Sequence, residues 1–170
     1  GGVNLMIKPT FIIIGAGKCG TTSLWDLLGQ HPEVCMCRPK EPNFFGSDEN
    51  YAKGWEWYES FFKDVTGKKA IGDVSPQYAS FARFPKAPER IARDLPDTKL
   101  IYIVRHPLER IKSSYFQALH TRHDMPREFS RCIKEYIYHI DITRYWTVID
   151  TYRKYYEDAK IKVLFFEDFK

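Results

Sequence analysis

A chain of 170 residues is long enough to bury one substantial core, and 44% apolar with 28% charged residues is an ordinary globular balance. The net charge of +4 is too small and too scattered for a nucleic-acid stripe, though it suits a basic pocket for a small anion. No apolar run approaches the roughly 18 residues of a membrane helix, and the first residues have no signal-peptide layout. The four cysteines, Cys19, Cys35, Cys37 and Cys132, complete no metal-ligand pattern with the five histidines, so no metal is expected. Free thiols point to a reducing compartment, hence the cytoplasm, with a lumenal domain separated from its anchor as the alternative.

In chain order, "TFIIIG" is a continuous apolar run ending in glycine, as expected for a strand buried on both faces. Leu24, Leu27 and Leu28 then recur at helical spacing, with Thr21, Thr22 or Ser23 available as the cap. "HPEVCMC" reads as a turn into a short strand, and the two prolines of "RPKEPNFFG" force an extended loop. Tyr51, Trp55, Tyr58 and Phe62 share one helical face, best explained as core packing. "KAIGDVSP" is a brief strand into a turn, "APERIARDLP" a short helix between prolines, and "TKLIYIVRHP" a second buried strand.

Pro107 opens a helix carrying Leu108, Ile111, Tyr115 and Leu119. A further periodic stretch uses Ile142, Tyr145, Ile149, Tyr152 and Tyr156, and "IKVLFFEDF" closes the chain as a strand. Strands alternating with helices predict an α/β fold, a parallel sheet with helices on both faces. Ligands in such folds bind beyond the carboxyl ends of the strands, where both the first glycine loop and "VRHP" fall.

That first loop, "GAGKCGTTSL", is the main chemical signal. A strand–loop–helix unit aims backbone amides and a positive helix end at one point. Gly15, Gly17 and Gly20 admit an anion close to the backbone, Lys18 adds a full charge, and Thr21, Thr22 and Ser23 offer donors. The nucleotide triphosphatase loop is G-x-x-x-x-G-K-[ST]. Here Gly15 and Gly20 keep the glycine spacing, but Thr21 stands in the lysine position and Lys18 lies mid-loop, near where a leaving-group oxygen would sit. Ordinary ATP hydrolysis is disfavoured.

These residues carry a resemblance. "GAGKCGTTSL" resembles the 5′-phosphosulfate loop of the sulfotransferases that use 3′-phosphoadenosine 5′-phosphosulfate (PAPS) and release 3′-phosphoadenosine 5′-phosphate (PAP). "VCMCRPKEPNFF" resembles the next segment of the bacterial and heparan-sulfate-type branch, and "IYIVRHPLERIKSSYFQ" the 3′-phosphate motif. "ITRYWTVIDTYRKYYEDAKIKVLFFEDF" is similar to their later helix–strand segment.

The resemblance implies the sulfotransferase fold, a P-loop-type parallel sheet over residues 1–170, with a further C-terminal segment expected beyond them. It assigns the loop residues Lys18, Cys19, Gly20, Thr21, Thr22 and Ser23 to the 5′-phosphosulfate. Arg105 and Ser113 are assigned to the 3′-phosphate, and Glu41 to the catalytic base. Arg105 ends a buried strand and Ser113 lies about two turns into the next helix, a spacing that lets a planar guanidinium and a hydroxyl share one phosphate. Arg110 and Ser114 are near alternatives, expected to face solvent or pack.

The implied reaction moves a sulfuryl group to a hydroxyl or amine, with Lys18 stabilising the leaving group and a base within reach of the acceptor proton. Glu41, in a loop expected to cross the mouth of the sheet, is best partly desolvated for that task. His31 and His106 flank prolines and read as structural. Asp73, Ser75 and Tyr78 are candidates for acceptor contact or for plain turn structure, and Lys40 for holding an anionic acceptor. The acceptor is a small molecule, lipid or glycan. The rival functions are a P-loop kinase or nucleotidase and a non-catalytic nucleotide-binding module.

Overall fold

A computed structural model describes residues 6–169. Five strands, β1 (Phe11–Gly15), β2 (Val34–Met36), β3 (Ala70–Val74), β4 (Lys99–Val104) and β5 (Ile161–Phe165), form one sheet in the order β2-β3-β1-β4-β5. Every pairing is parallel. All five residues of β1 are buried, which explains why its sequence is continuously apolar rather than alternating. Each fully buried isoleucine there (Ile12, Ile13, Ile14) contributes about 2–3 kcal/mol.

Among the described residues, eight α-helices connect and flank the strands: α1 (Thr21–Gly29), α2 (Asp48–Ala52), α3 (Trp55–Glu59), α4 (Ala87–Asp94), α5 (Pro107–Thr121), α6 (Phe129–Glu135), α7 (Tyr138–Asp141) and α8 (Tyr145–Arg153). The crossover from β1 to β2 runs one way along the sheet, and the later ones run back. Right-handed connections therefore put α1 on one face and the other helices opposite. Trp25 of α1 bonds the Cys37 carbonyl, and Tyr152 of α8 and Tyr156 beyond it donate from Oη to Tyr78 O and Leu95 O. Register pairs Ile13 with Val74 and Gly15 with Tyr102, so β1, β3 and β4 end at the same edge. This edge, where the direction of winding reverses, is where the site lies.

Four local expectations are corrected. Residues 51–62 are not one helix: Gly54, at φ 82, separates α2 from α3, and Phe62 falls beyond α3. The periodic stretch 142–156 is helical only over α8, because Ile142 belongs to the end of α7. "FFEDF" is not all strand; Phe166–Phe169 coil into a 3-10 turn after β5. Finally, no threonine or serine side chain caps α1. Its cap is Gly20, whose φ of 83 needs a residue without a Cβ.

Candidate active site

The loop between β1 and α1 is shaped from two sides. Ala16 N–H donates to Ile103 O (2.8 Å) and Cys19 N–H to Ala16 O (3.2 Å), which closes the turn. Lys18 lies in the left-handed region at φ 66. Two guanidiniums then take up the loop carbonyls: Arg110 Nε donates to Gly17 O (3.1 Å) and Arg105 Nη1 to Lys18 O (3.3 Å). With those carbonyls occupied and no side-chain cap on α1, the amides of its first turn remain for an outside acceptor. A Cβ built on Gly17 would meet nothing within 4 Å, so the loop backbone can be approached freely there. Free first-turn amides, an open Gly17 and the Lys18 charge are the features that an anion such as a phosphosulfate would fit.

Arg105 sits just past β4, its guanidinium 4.7 Å from the ring centre of Phe166. Phe166 also packs over Gly20, where a Cβ would fall 2.8 Å from the ring. Tyr145 Oη donates to Arg105 O (2.8 Å) and pins the strand end from α8. Lys18, Gly20, Thr21, Thr22, Arg105 and Ser113 all line one cleft of about 930 Å³, together with Lys40 and Glu41. Lys18 and Arg105, 87 residues apart in sequence, thus meet in one cavity, joined by a direct hydrogen bond. The family model for the sulfotransferase domain matches residues 8–170.

The chain belongs to the sulfotransferase family.

Among its relatives, the membrane-associated sulfotransferase kil1 of Dictyostelium discoideum is 34% identical over 162 residues, covering 92% of this chain and 33% of that protein. Heparan sulfate glucosamine 3-O-sulfotransferase 5 of Mus musculus is 40% identical over 111 residues, 65% of this chain and 31% of the relative. The crystal structure of a sulfotransferase from Alicyclobacillus acidocaldarius superposes with a TM-score of 0.79 at 26% identity, covering 96% of this chain and 75% of that one. The chain spans about a third of the length of these curated relatives.

Within this sulfotransferase domain, Glu41 stands at the cleft on a loop held at both ends. Arg38 N–H donates to Phe61 O (2.7 Å) and Glu41 N–H to Val74 O (3.0 Å), while Glu41 itself adopts φ 62. Its side chain is 39% exposed, open to the cleft rather than desolvated as expected. Lys40 beside it donates from Nζ to Thr22 Oγ1 (2.7 Å) and lies 3.9 Å from Glu41 Oε1.

Several expectations change. Cys19 is fully buried behind the loop, with Sγ 3.9 Å from Tyr145 Oη, and burial pushes its thiol pKa up; it does not line the cleft, and neither does Ser23. Of the two expectations for Arg110, to face solvent or to pack, the structure shows packing. Arg110 is 1% exposed, braces Gly17, and donates from Nη1 to His139 O (2.9 Å) and Thr143 Oγ1 (3.0 Å).

Asp73, Ser75 and Tyr78 are buried too deeply to touch an acceptor. Asp73 accepts from Tyr58 Oη (2.8 Å), Ser75 Oγ (2.9 Å) and Tyr78 Oη (3.1 Å), and burial pushes it up to about 6 against the pull of those donors. Two of these three hydroxyls also accept backbone amides, Ser75 Oγ from Asn43 N–H and Tyr78 Oη from Phe45 N–H, so the network supports the Glu41 loop. Neither His31 nor His106 lines the cleft. Nδ1 of His31 accepts from Glu33 N–H, and His106 stands at the start of α5 with its N–H on the Glu167 carboxylate.

Sequence reasoning missed Arg83, Gln77, Arg122 and Phe166 as cleft residues. Arg83, Gln77 and Arg122 lie outside the motifs, and Phe166, although within the later helix–strand segment, carries no ligand-binding residue type; only the packing of turn and helix ends brings them to the opening.

Proposed function

We propose that the domain is the catalytic core of a sulfotransferase that uses PAPS and delivers the sulfuryl group to a hydroxyl or amine. The observation that carries this reading is the single cleft shared by the Lys18 loop and Arg105. Lys18, Gly20, Thr21 and Thr22 hold the 5′-phosphosulfate end, and Arg105 with Ser113 holds the 3′-phosphate. When bound, the donor supplies an activated sulfuryl group on a phosphate leaving group. Lys18 and the α1 amides meet charge on that leaving oxygen, and Glu41 takes the acceptor proton. Lysine and helix dipole neutralise the bisphosphate, so the scheme contains no metal. The relatives named for heparan sulfate favour a glycan acceptor.

Calorimetry against PAP, and against ATP with Mg²⁺, tests the reading. Micromolar PAP binding is expected, weakened about tenfold or more in Arg105→Ala by loss of a charge-assisted hydrogen bond. Preference for ATP returns the domain to the kinase or nucleotidase class. PAP binding with no labelled sulfuryl transfer to any hydroxyl or amine acceptor class makes it a binding module.

A further inference from the structure

In a nucleotide-binding loop of the form G-x-x-x-x-G-K-[ST], the lysine reaches the terminal phosphates and the next hydroxyl holds Mg²⁺. Aligned on Gly15 and Gly20, this chain has Thr21 in place of that lysine, and Thr22 supplies the hydroxyl. The Thr22 hydroxyl is engaged: Lys40 Nζ, from a different loop, donates to Oγ1 at 2.7 Å. An ammonium therefore stands beside the group that carries the metal in the nucleotide loop.

Three features make this more than a surface contact. The Lys40 backbone is fixed, because the hydrogen bonds of Arg38 and Glu41 to Phe61 and Val74 hold the chain on either side. The ammonium's close partner is a neutral hydroxyl, and the carboxylate of Glu41 lies at the edge of contact, 3.9 Å away. And Lys40 lines the cleft between the cradle residue Thr22 and the base Glu41. Any group passing from the cradle to an acceptor held at Glu41 must cross that interval.

We propose that Lys40 is a catalytic residue, a lysine supplied from a second loop that binds the transferring sulfuryl oxygens between the phosphate cradle and Glu41. This rests on the sulfotransferase reading above. In the step it serves, the acceptor oxygen or nitrogen bonds to sulfur as its proton goes to the Glu41 carboxylate. The bond from sulfur to the bridging phosphate oxygen breaks, and its electron pair leaves on the 5′-phosphate beside Lys18. Lys40 meets the charge on the three sulfuryl oxygens throughout, so its contact is with the donor and not with the product PAP.

That difference gives the test. Wild type, Lys40→Met and Lys40→Arg are titrated with PAPS and with PAP in the presence of a chelator. Lys40→Met is expected to weaken PAPS about fivefold or more while leaving PAP within about twofold, and Lys40→Arg to restore much of the PAPS affinity. A melting temperature within a few degrees of wild type is expected, since the side chain is 38% exposed, and confirms that the variant folds. Parallel weakening of both ligands makes Lys40 a mere brace for Thr22 and overturns the proposal, as does no change in either. If wild type binds neither nucleotide, the sulfotransferase reading falls and takes Lys40 with it; if wild type binds both and the ratio is unmoved in Lys40→Met, only the role of Lys40 falls.

Discussion

Lys18 and Glu41, the two residues to which the resemblance assigns chemistry, both hold non-glycine backbone in the left-handed region, at φ 66 and φ 62. Each such conformation costs on the order of 1 kcal/mol and persists only where the surroundings dictate it. For Lys18 the surroundings are the two arginines on the loop carbonyls; for Glu41 they are the hydrogen bond to β3 and the Asp73 network beneath. These residues were legible as types in motifs, but their strain was not, since it is imposed by partners far along the chain: Val74 for Glu41, and Arg110 for the carbonyl before Lys18, 93 residues from it. If Glu41 takes the acceptor proton, Glu41→Gln keeps the loop and removes the base. A labelled-donor assay should then register a loss of about 10²- to 10⁴-fold in kcat with PAP affinity unchanged. Wild-type turnover in that variant assigns the proton to another group.

At the scale of elements, the Glu41 loop and strand β3 behave as one unit. The Asp73 carboxylate, fully buried, collects three hydroxyl donors, and two of those hydroxyls carry backbone amides of the loop. Burial raises Asp73 to about 6, so the folded protein binds its proton more tightly than the unfolded chain does. The sign follows: this group's stabilisation is complete below about pH 4 and is lost as pH rises through about 6, a swing of about 3 kcal/mol. Asp73→Asn removes the titration. Melting curves of the two proteins between pH 4 and 7 should therefore show a stability difference that changes over that window and is flat above it. A pH-independent difference means that Asp73 is ionised alike in both states. "GDVSP" suggested an acceptor contact or a turn because a short strand followed by proline has no way of announcing how deep it lies. For Arg110 the sequence left solvent and packing both open, and α7 and the glycine loop, closing over it, decide for packing.

For the molecule as a whole, the sheet brings the ends of β1, β3 and β4 to one edge, and the cleft there is lined across elements rather than within one. Binding there should couple to global stability. PAP at about a hundred times its dissociation constant adds about 2.7 kcal/mol, roughly 5–10 °C in melting temperature for a domain of this size, and a tenfold weakening in Arg105→Ala should cut that shift to about half at the same PAP concentration. A differential scan checks it, and an unchanged shift in the variant separates Arg105 from the nucleotide. The sequence by itself determined the parallel α/β class, the glycine loop, and the resemblance that names Arg105, Ser113 and Glu41. Those are local properties: apolar runs, glycine spacing and short motifs are all carried by neighbouring residues. Only the tertiary structure decided that Arg105 closes onto Lys18, that Phe166 lies over Gly20, that Cys19 turns away, and that Lys40 reaches Thr22. Each of these depends on which strand ends are neighbours, and that order is set by burial and by right-handed crossovers acting on the whole chain at once.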